Sequence, residues 1–494
     1  DSCFTPANAK NFHSPQWHLR SATLSEVKGT EIELLEKAKI EKILLVKCPN
    51  WNELKPAKAS LWTNKKPGVN ASEEHFCGGY CRYVENDDVV LWDIDSREDV
   101  QEPISRAFLR AGPREFTYFD PRNVKAGIVT CGGLVPGQNN VIRDLVKTLH
   151  NLYGVTTVYG FHGGFKGIYK LKPTLLTLSK VSDINLKGGT ILSTTSGACD
   201  PELIVRELKR LDVNQLYVIG GDGAMRGAIS IHHAALLEAD KSGHILSVIG
   251  VAKSIDNDIG IIDSSIGFRT AITEAVEAIE SAKTEARCVP NGVGLVKLFG
   301  KDCGFIAAKA SLASGFVDLC LIPEVPIRLT GKNGVLQHIV KRIRNNGHAV
   351  IVVSSGARPL ESETDAHLFE CKEVDEEDQS NCIGQWLKET IVDYCGELEE
   401  PLKANVKYID PSYMIRSVEA TASDSLYSLL LAQNSVHGAM AGVTGFTVGR
   451  VNNRTCYIPI TSITKHSPCH VNPKGSLFEQ VLIATGQPHD IPTI

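Results

Sequence analysis

The sequence predicts an α/β protein with two domains and a cleft between them, preceded by an N-terminal extension. Three observations carry this. Short apolar runs, such as residues 216–219 and 246–251, end in turns of glycine, serine and aspartate, the pattern of buried parallel strands. Helical periodicity lies between them, as at Val141, Leu145 and Leu149 or Ile272, Val276 and Ile279. The strand-and-turn unit also starts afresh near residue 294, which reads as a second domain.

Residues 1–122 mix Trp, Pro, Asn and charge without a sustained period. A short amphipathic helix over 31–42 and a strand over 43–46 are expected there, in an extension that wraps or oligomerises. At 494 residues the chain is long enough for two cores beyond it. An apolar fraction of 43%, a charged fraction of 22% and a net charge of −5 are ordinary. They give no electrostatic reason for nucleic acid or an acidic membrane as partner. No apolar run approaches the roughly 18–20 residues of a membrane span, so a soluble protein is expected. The 14 cysteines are scattered, and several, Cys131 and Cys320 among them, sit in strand-like runs where a thiol packs as a small hydrophobe. That points to a reducing compartment. His75, Cys77 and Cys81 have soft-ligand character but no second Cys/His pair near them, so no zinc site is expected. The chain opens on Asp1 and shows no signal or transit peptide, as a mature or trimmed chain would.

From residue 124 the units follow in order. A strand over 125–131 leads into the glycine-rich turn Gly132-Gly133-Leu134-Val135-Pro136-Gly137 and a helix over 140–149. That arrangement brings a phosphate onto backbone N–H groups at a helix N-terminus. No G-x-G-x-x-G fingerprint is present, which argues against a dinucleotide-dependent dehydrogenase. Strands over 155–159 and 190–192 lead into Phe161-His162-Gly163-Gly164-Phe165-Lys166-Gly167 and Ser193-Thr194-Thr195-Ser196-Gly197. The strand over 216–219 delivers Gly220-Gly221-Asp222-Gly223, and that over 246–251 delivers Ala252-Lys253-Ser254-Ile255-Asp256-Asn257-Asp258. Asp256 and Asp258 point the same way in an extended segment, so one suits proton abstraction and the other Mg²⁺. The structural alternative is an Asx-rich turn that only satisfies its own backbone. After a helix over 270–286, strands over 294–299, 318–322 and 349–353 build the second domain; residues 361–379 read as a solvated acidic loop.

The ordered set Gly132-Gly133-x-x-Pro136-Gly137-x-Asn139, Gly220-Gly221-Asp222-Gly223, Ile255-Asp256-Asn257-Asp258, Gly300-x-x-x-Gly304, Ile322-Pro323-Glu324 and Tyr413-x-x-Arg416 resembles the 6-phosphofructokinases, in particular the plant-type ATP-dependent branch with its plastid members. The resemblance covers roughly residues 105–460. It implies two Rossmann-like three-layer domains: 123–267 with 424–475 for nucleotide, 268–423 for sugar phosphate, between an extension 1–122 and a tail 476–494. It implies MgATP and fructose 6-phosphate as ligands, phosphoryl transfer to the sugar's 1-hydroxyl, and a homo-oligomer or larger assembly in a plastid or mitochondrion. By position, Asp256 resembles the base, with Ser254 and Asp258 completing the catalytic turn. Gly133, Lys166, Gly221, Asp222, Gly223 and Ala224 resemble the nucleotide binders, and Asp222 and Asp258 the Mg²⁺-side carboxylates. Ser254, Asp256, Phe299, Gly300, Lys301, Lys407, Tyr413 and Arg416 resemble the sugar-phosphate binders.

The chain departs from the family at its cations. Ser196 stands where the family has the arginine that bridges the transferring phosphoryl group, Lys166 and Lys301 stand for arginines, and Ser355 stands for the glutamate that contacts the sugar. Ala224 and Ser254 replace threonines. Lysine keeps charge but loses the planar fork. A transition-state arginine is worth roughly 10³–10⁵ in rate. Lys166, Lys253, Arg226 or Arg269 would have to make good its loss; otherwise the chain is a catalytically impaired homologue serving as a structural or regulatory subunit.

Overall fold

The apolar runs form a smaller parallel sheet and the parallel centre of a larger mixed one. The computed structural model describes residues 57–58, 83–84, 88–92, 107–114, 116–195, 200–331, 333–360 and 382–489. In chain order the strands are β1 Ala57–Lys58, β2 Val89–Leu91, β3 Ala107–Arg110, β4 Phe116–Thr117, β5 Lys125–Thr130, β6 Thr157–Phe161, β7 Thr174–Leu175, β8 Gln215–Gly220, β9 Ser247–Ala252, β10 Gly292–Leu298, β11 Leu319–Leu321, β12 His348–Ser354, β13 Asn405–Ile409, β14 Phe446–Val451 and β15 Arg454–Pro459. The larger sheet runs β2-β3-β15-β14-β9-β8-β5-β6-β7, and the smaller β11-β12-β10-β13. From β14 to β6 the pairings are parallel, with Ile128 opposite Tyr217 and Val218 opposite Gly250. Both β8 and β9 are buried along their whole length, which is why they read as continuous apolar runs. The chain winds from β5 to β6 on one side and returns to β8 on the other. This reversal opens a crevice at the carboxyl ends of β5 and β8, where open α/β sheets bind ligands.

The helix Phe268–Arg287 buries a different face from the one its largest residues predict. Ala271, Ala275, Ile279, Ala282 and Ala286 face inward, while Ile272 and Val276 flank the contact half-buried. The cause is close backbone approach to β10. A Cβ at Gly292 would stand 2.0 Å from the Ala286 carbonyl oxygen, and one at Gly294 2.6 Å from that of Ala282. Only small residues on both partners permit that spacing.

One other expectation is corrected. Residues 190–192 form no strand: the Ile191 N–H donates to Asn139 Oδ1 at 2.9 Å, and Leu192 plugs the core from a turn. Part of the extension joins the sheet, because β2 pairs with β3 and β3 with β15. The supposed tail carries a helix, Ser476–Thr485, whose Phe478 and Val481 are buried against the smaller sheet's core. The helix over 31–42, the strand over 43–46, the His75–Cys81 cluster and the acidic stretch 361–379 lie outside the described residues. No helix among the described residues is long and apolar enough to cross a membrane.

Candidate active site

Strand ends from both sheets build the site. Beyond β9, the Asp-Asn-Asp turn divides its work by residue. Asn257 takes a left-handed backbone (φ 60°), and its Oδ1 accepts the Ser265 N–H at 2.8 Å. Ser265 Oγ donates to the Ser254 carbonyl, and the Asp256 N–H donates to Ser254 Oγ at 3.2 Å. Asn257 and Ser254 thus fix the turn, which leaves the carboxylates for other work. The inner oxygen of Asp256, Oδ1, is enclosed and has no hydrogen-bond partner. Burial, reinforced by Asp258 and Asp302, pushes its pKa up to about 7.

Beyond β8, Gly220 is required because a Cβ there would stand 2.2 Å from Ala224 Cβ. The helix Asp222–Ser242 starts at once, with Asp222 in its first turn. Asp222 Oδ2 accepts from Arg226 Nε at 2.8 Å, while Oδ1 is enclosed and unpartnered. In front of Gly223 the space is open: a Cβ there would meet nothing within 4 Å.

Beyond β5, the Gly133 carbonyl accepts from Lys253 Nζ. Lys253 is 3% exposed, and burial drives its pKa down to about 8. From the smaller sheet, Lys297 (1% exposed) pairs with Asp410 at 2.6 Å and fastens the end of β13 to β10. Asp410 Oδ1 accepts the Ser412 N–H and hydroxyl at 3.1 and 2.6 Å, starting the short helix Ser412–Ser417 that carries Arg416.

These ends enclose a cavity of about 390 Å³. Of the residues singled out in the sequence, Gly133, Gly221, Gly223, Ala224, Ser254, Asp256, Phe299 and Arg416 line it. Asp222 and Gly300 sit next to lining residues in the chain, and Asp258 two positions beyond Asp256, without lining the cavity themselves. Lys166 is exposed and faces a separate depression beside Tyr169, Asp200 and Glu202. Its neighbour Phe165 faces the cavity instead, as the ~100° step of a helix dictates. Lys301 is exposed, Lys407 lies half-buried on β13, and Tyr413 is 68% exposed under the Arg416 guanidinium at 4.6 Å; none of the three lines the cavity. Ser355 is buried, its N–H held by the Leu298 carbonyl, and it also stands outside the lining. Ser196 lies outside the described residues. Lys253, which the sequence offers only as one of several spare cations, is part of the lining. The apolar walls Val135, Phe165 and Ile255 carry no sequence signal of their role.

Among the described residues, no three His, Cys, Asp or Glu side chains converge as a ready-made metal cage. Mg²⁺ in phosphoryl transfer needs only one or two carboxylates beside phosphate oxygens and waters, and the enclosed, unpartnered oxygen of Asp222 fits that demand. The arrangement offers a carboxylate poised to take a proton near neutral pH, glycine turns open to a phosphate chain, and two cations in the lining.

The phosphofructokinase family model matches residues 125–439. The chain is 43% identical to the chloroplastic ATP-dependent 6-phosphofructokinase 4 of Arabidopsis thaliana, over 82% of this chain and 75% of that protein. It is 38% identical to an ATP-dependent 6-phosphofructokinase of Borreliella burgdorferi, over 83% of this chain and 92% of that one. Among solved structures, a pyrophosphate-dependent phosphofructokinase from Nitrosospira multiformis superposes with a TM-score of 0.60 at 16% identity, covering 75% of this chain and 94% of that chain.

Proposed function

This chain belongs to the phosphofructokinase family, and from that premise we propose that it transfers the terminal phosphoryl group of MgATP to the 1-hydroxyl of fructose 6-phosphate. The observation that carries the reading is Asp256: a carboxylate with an enclosed, unpartnered oxygen, in a cavity also lined by glycine turns, Lys253 and Arg416. Asp256 accepts the hydroxyl proton as the bond to phosphorus forms. Gly133, Gly221 and Gly223 let the phosphate chain approach the backbone, with Ala224 beside them, and Lys253 and Arg416 supply positive charge. Bound Mg²⁺ would neutralise the terminal phosphates, held by Asp222 and Asp258. Ser254 braces the turn and presents its hydroxyl to the sugar side with Phe299 and Gly300. Lys407, Tyr413 and Arg416 are assigned to the 6-phosphate, with Lys301 at the rim; Lys166, which faces the separate depression, is left without a role at the nucleotide.

The same proposal assigns nucleotide to 123–267 with 424–475 and sugar phosphate to 268–423. It places the protein in a plastid, which the chloroplastic relative supports. A homo-oligomer is supported by Tyr413 and Met414, 68% and 72% exposed beside Arg416 at the site's edge. The test is titration calorimetry with ATP, with and without Mg²⁺, then with fructose 6-phosphate, followed by a coupled assay on the same sample. Binding with turnover is the expected result. Nucleotide binding without turnover would favour the second reading, a regulatory subunit, which the serine at position 196 motivates.

A further inference from the structure

Strand β11 is the edge of the smaller sheet, and its open side is closed by one side chain. Gln487 Oε1 accepts the Cys320 N–H at 2.7 Å, and Gln487 Nε2 donates to the Cys320 carbonyl at 3.0 Å. Past the strand's carboxyl end lies a second cavity of about 580 Å³, within the roughly 300–1,000 Å³ typical of small-molecule sites. It shares no lining residue with the first. Val325, Ile327 and Phe478 give it an apolar wall, and the exposed cations Arg328 and Lys474 stand among its lining residues.

Glu324 also lines this cavity, and it faces two ways. Its Oε1 accepts the Gly304 N–H at 3.0 Å and the Val471 N–H at 2.7 Å, while Oε2 is enclosed without a partner. Both of those segments brace the Asp-Asn-Asp turn. Cys303 Sγ donates to the Asp256 carbonyl at 3.4 Å, and the Cys469 N–H donates to the Asp258 carbonyl at 2.7 Å. Each hydrogen bond of Glu324 therefore lies within two residues of a contact on the turn: Gly304 follows Cys303 directly, and Val471 stands two positions beyond Cys469.

We propose that this cavity is a second ligand site. It takes a small molecule with a flat apolar body, an acidic group for Arg328 and Lys474, and an N–H or O–H for Glu324, and its occupancy is transmitted through Glu324 to residues 256–258. A buried acceptor without a donor is costly to leave unmade, which gives the ligand its polar anchor. The binding half stands apart from the kinase reading; only the consequence for catalysis rests on it.

The probe is 8-anilinonaphthalene-1-sulfonate, which has fused rings, a sulfonate and one N–H. The full chain is titrated by fluorescence with and without MgATP and fructose 6-phosphate, and amide hydrogen exchange is followed at 254–258, 303–304 and 469–471. One saturable site that MgATP does not displace is expected. Lys474→Glu, at an exposed position, weakens the probe about fivefold or more, and Val325→Trp, which fills the cavity, abolishes it. Exchange slows at 256–258 when the probe is bound. Equal affinity in wild type and Lys474→Glu, displacement by MgATP, or no saturable binding overturns the site. Unchanged exchange at 256–258 overturns the coupling. Neither readout requires turnover, so failure here and failure of the kinase reading are separately visible.

Discussion

At the scale of single residues, Asp256 and Asn257 show why the sequence admitted two readings of one turn. An Asx turn and a catalytic pair have the same composition; the structure gives the backbone work to Asn257 and leaves Asp256 with an unpartnered oxygen. Burial raises the acid's pKa, so the native state holds that proton more tightly than the unfolded chain. Stability is therefore lost as pH rises from the ordinary carboxylate range toward about 7. Asp256→Asn removes the penalty, and we predict a higher Tm at pH 8 together with a fall in kcat of about 10²–10⁴-fold. Thermal melts and the coupled assay on one preparation check both. A second prediction follows from the family's missing cation: Ser196→Arg raises kcat by about tenfold or more, read in the same assay at saturating MgATP. The sequence made Asp256, Gly221 and Gly223 legible because their turns follow strands. It could not show that Lys166 faces away, since Lys166 and Phe165 are neighbours in the chain and only helix phase separates them.

Among the elements, the helix Phe268–Arg287 shows the limit of reading hydrophobic periodicity. Large residues predicted one face, but the approach of Gly292 and Gly294 selects the alanine stripe. Ala282→Leu should overpack this contact and destabilise the fold by about 1–3 kcal/mol, measured by urea unfolding; Ile272→Leu at the half-buried flank should cost less than about 1.5 kcal/mol. Strands β8 and β9 were legible because both faces are buried, so every position is apolar or glycine apart from Gln215 and Ser247 at their starts. The turn at 190–192 was misread for the complementary reason. Leu192 is fully buried without strand pairing, and a short apolar run does not distinguish the two.

For the whole molecule, the two-sheet architecture was legible because each sheet repeats one unit, strand followed by helix. The edges were not legible, since they are closed by distant segments: β2 and β3 from the extension, and Gln487 from near the C-terminus. The same long-range packing buries histidines. His232 and His437 have pKa values lowered to about 4 by burial, with His437 Nδ1 bonded to the Tyr153 hydroxyl at 2.7 Å. The unfolded chain binds protons that the native state refuses between about pH 6.5 and 4, so their contribution is full above 6.5 and lost as pH falls. His437→Gln should flatten the fall of Tm with pH across that window. The central claim is that Asp256 is the base of a phosphoryl transfer. Its most direct measurement is the rate of fructose 1,6-bisphosphate formation from MgATP and fructose 6-phosphate by the wild-type chain and by Asp256→Asn. Turnover in the wild type that drops by about 10² or more in the variant, with MgATP binding retained, is the predicted result. Equal rates in the two proteins, or no product from either, would contradict it.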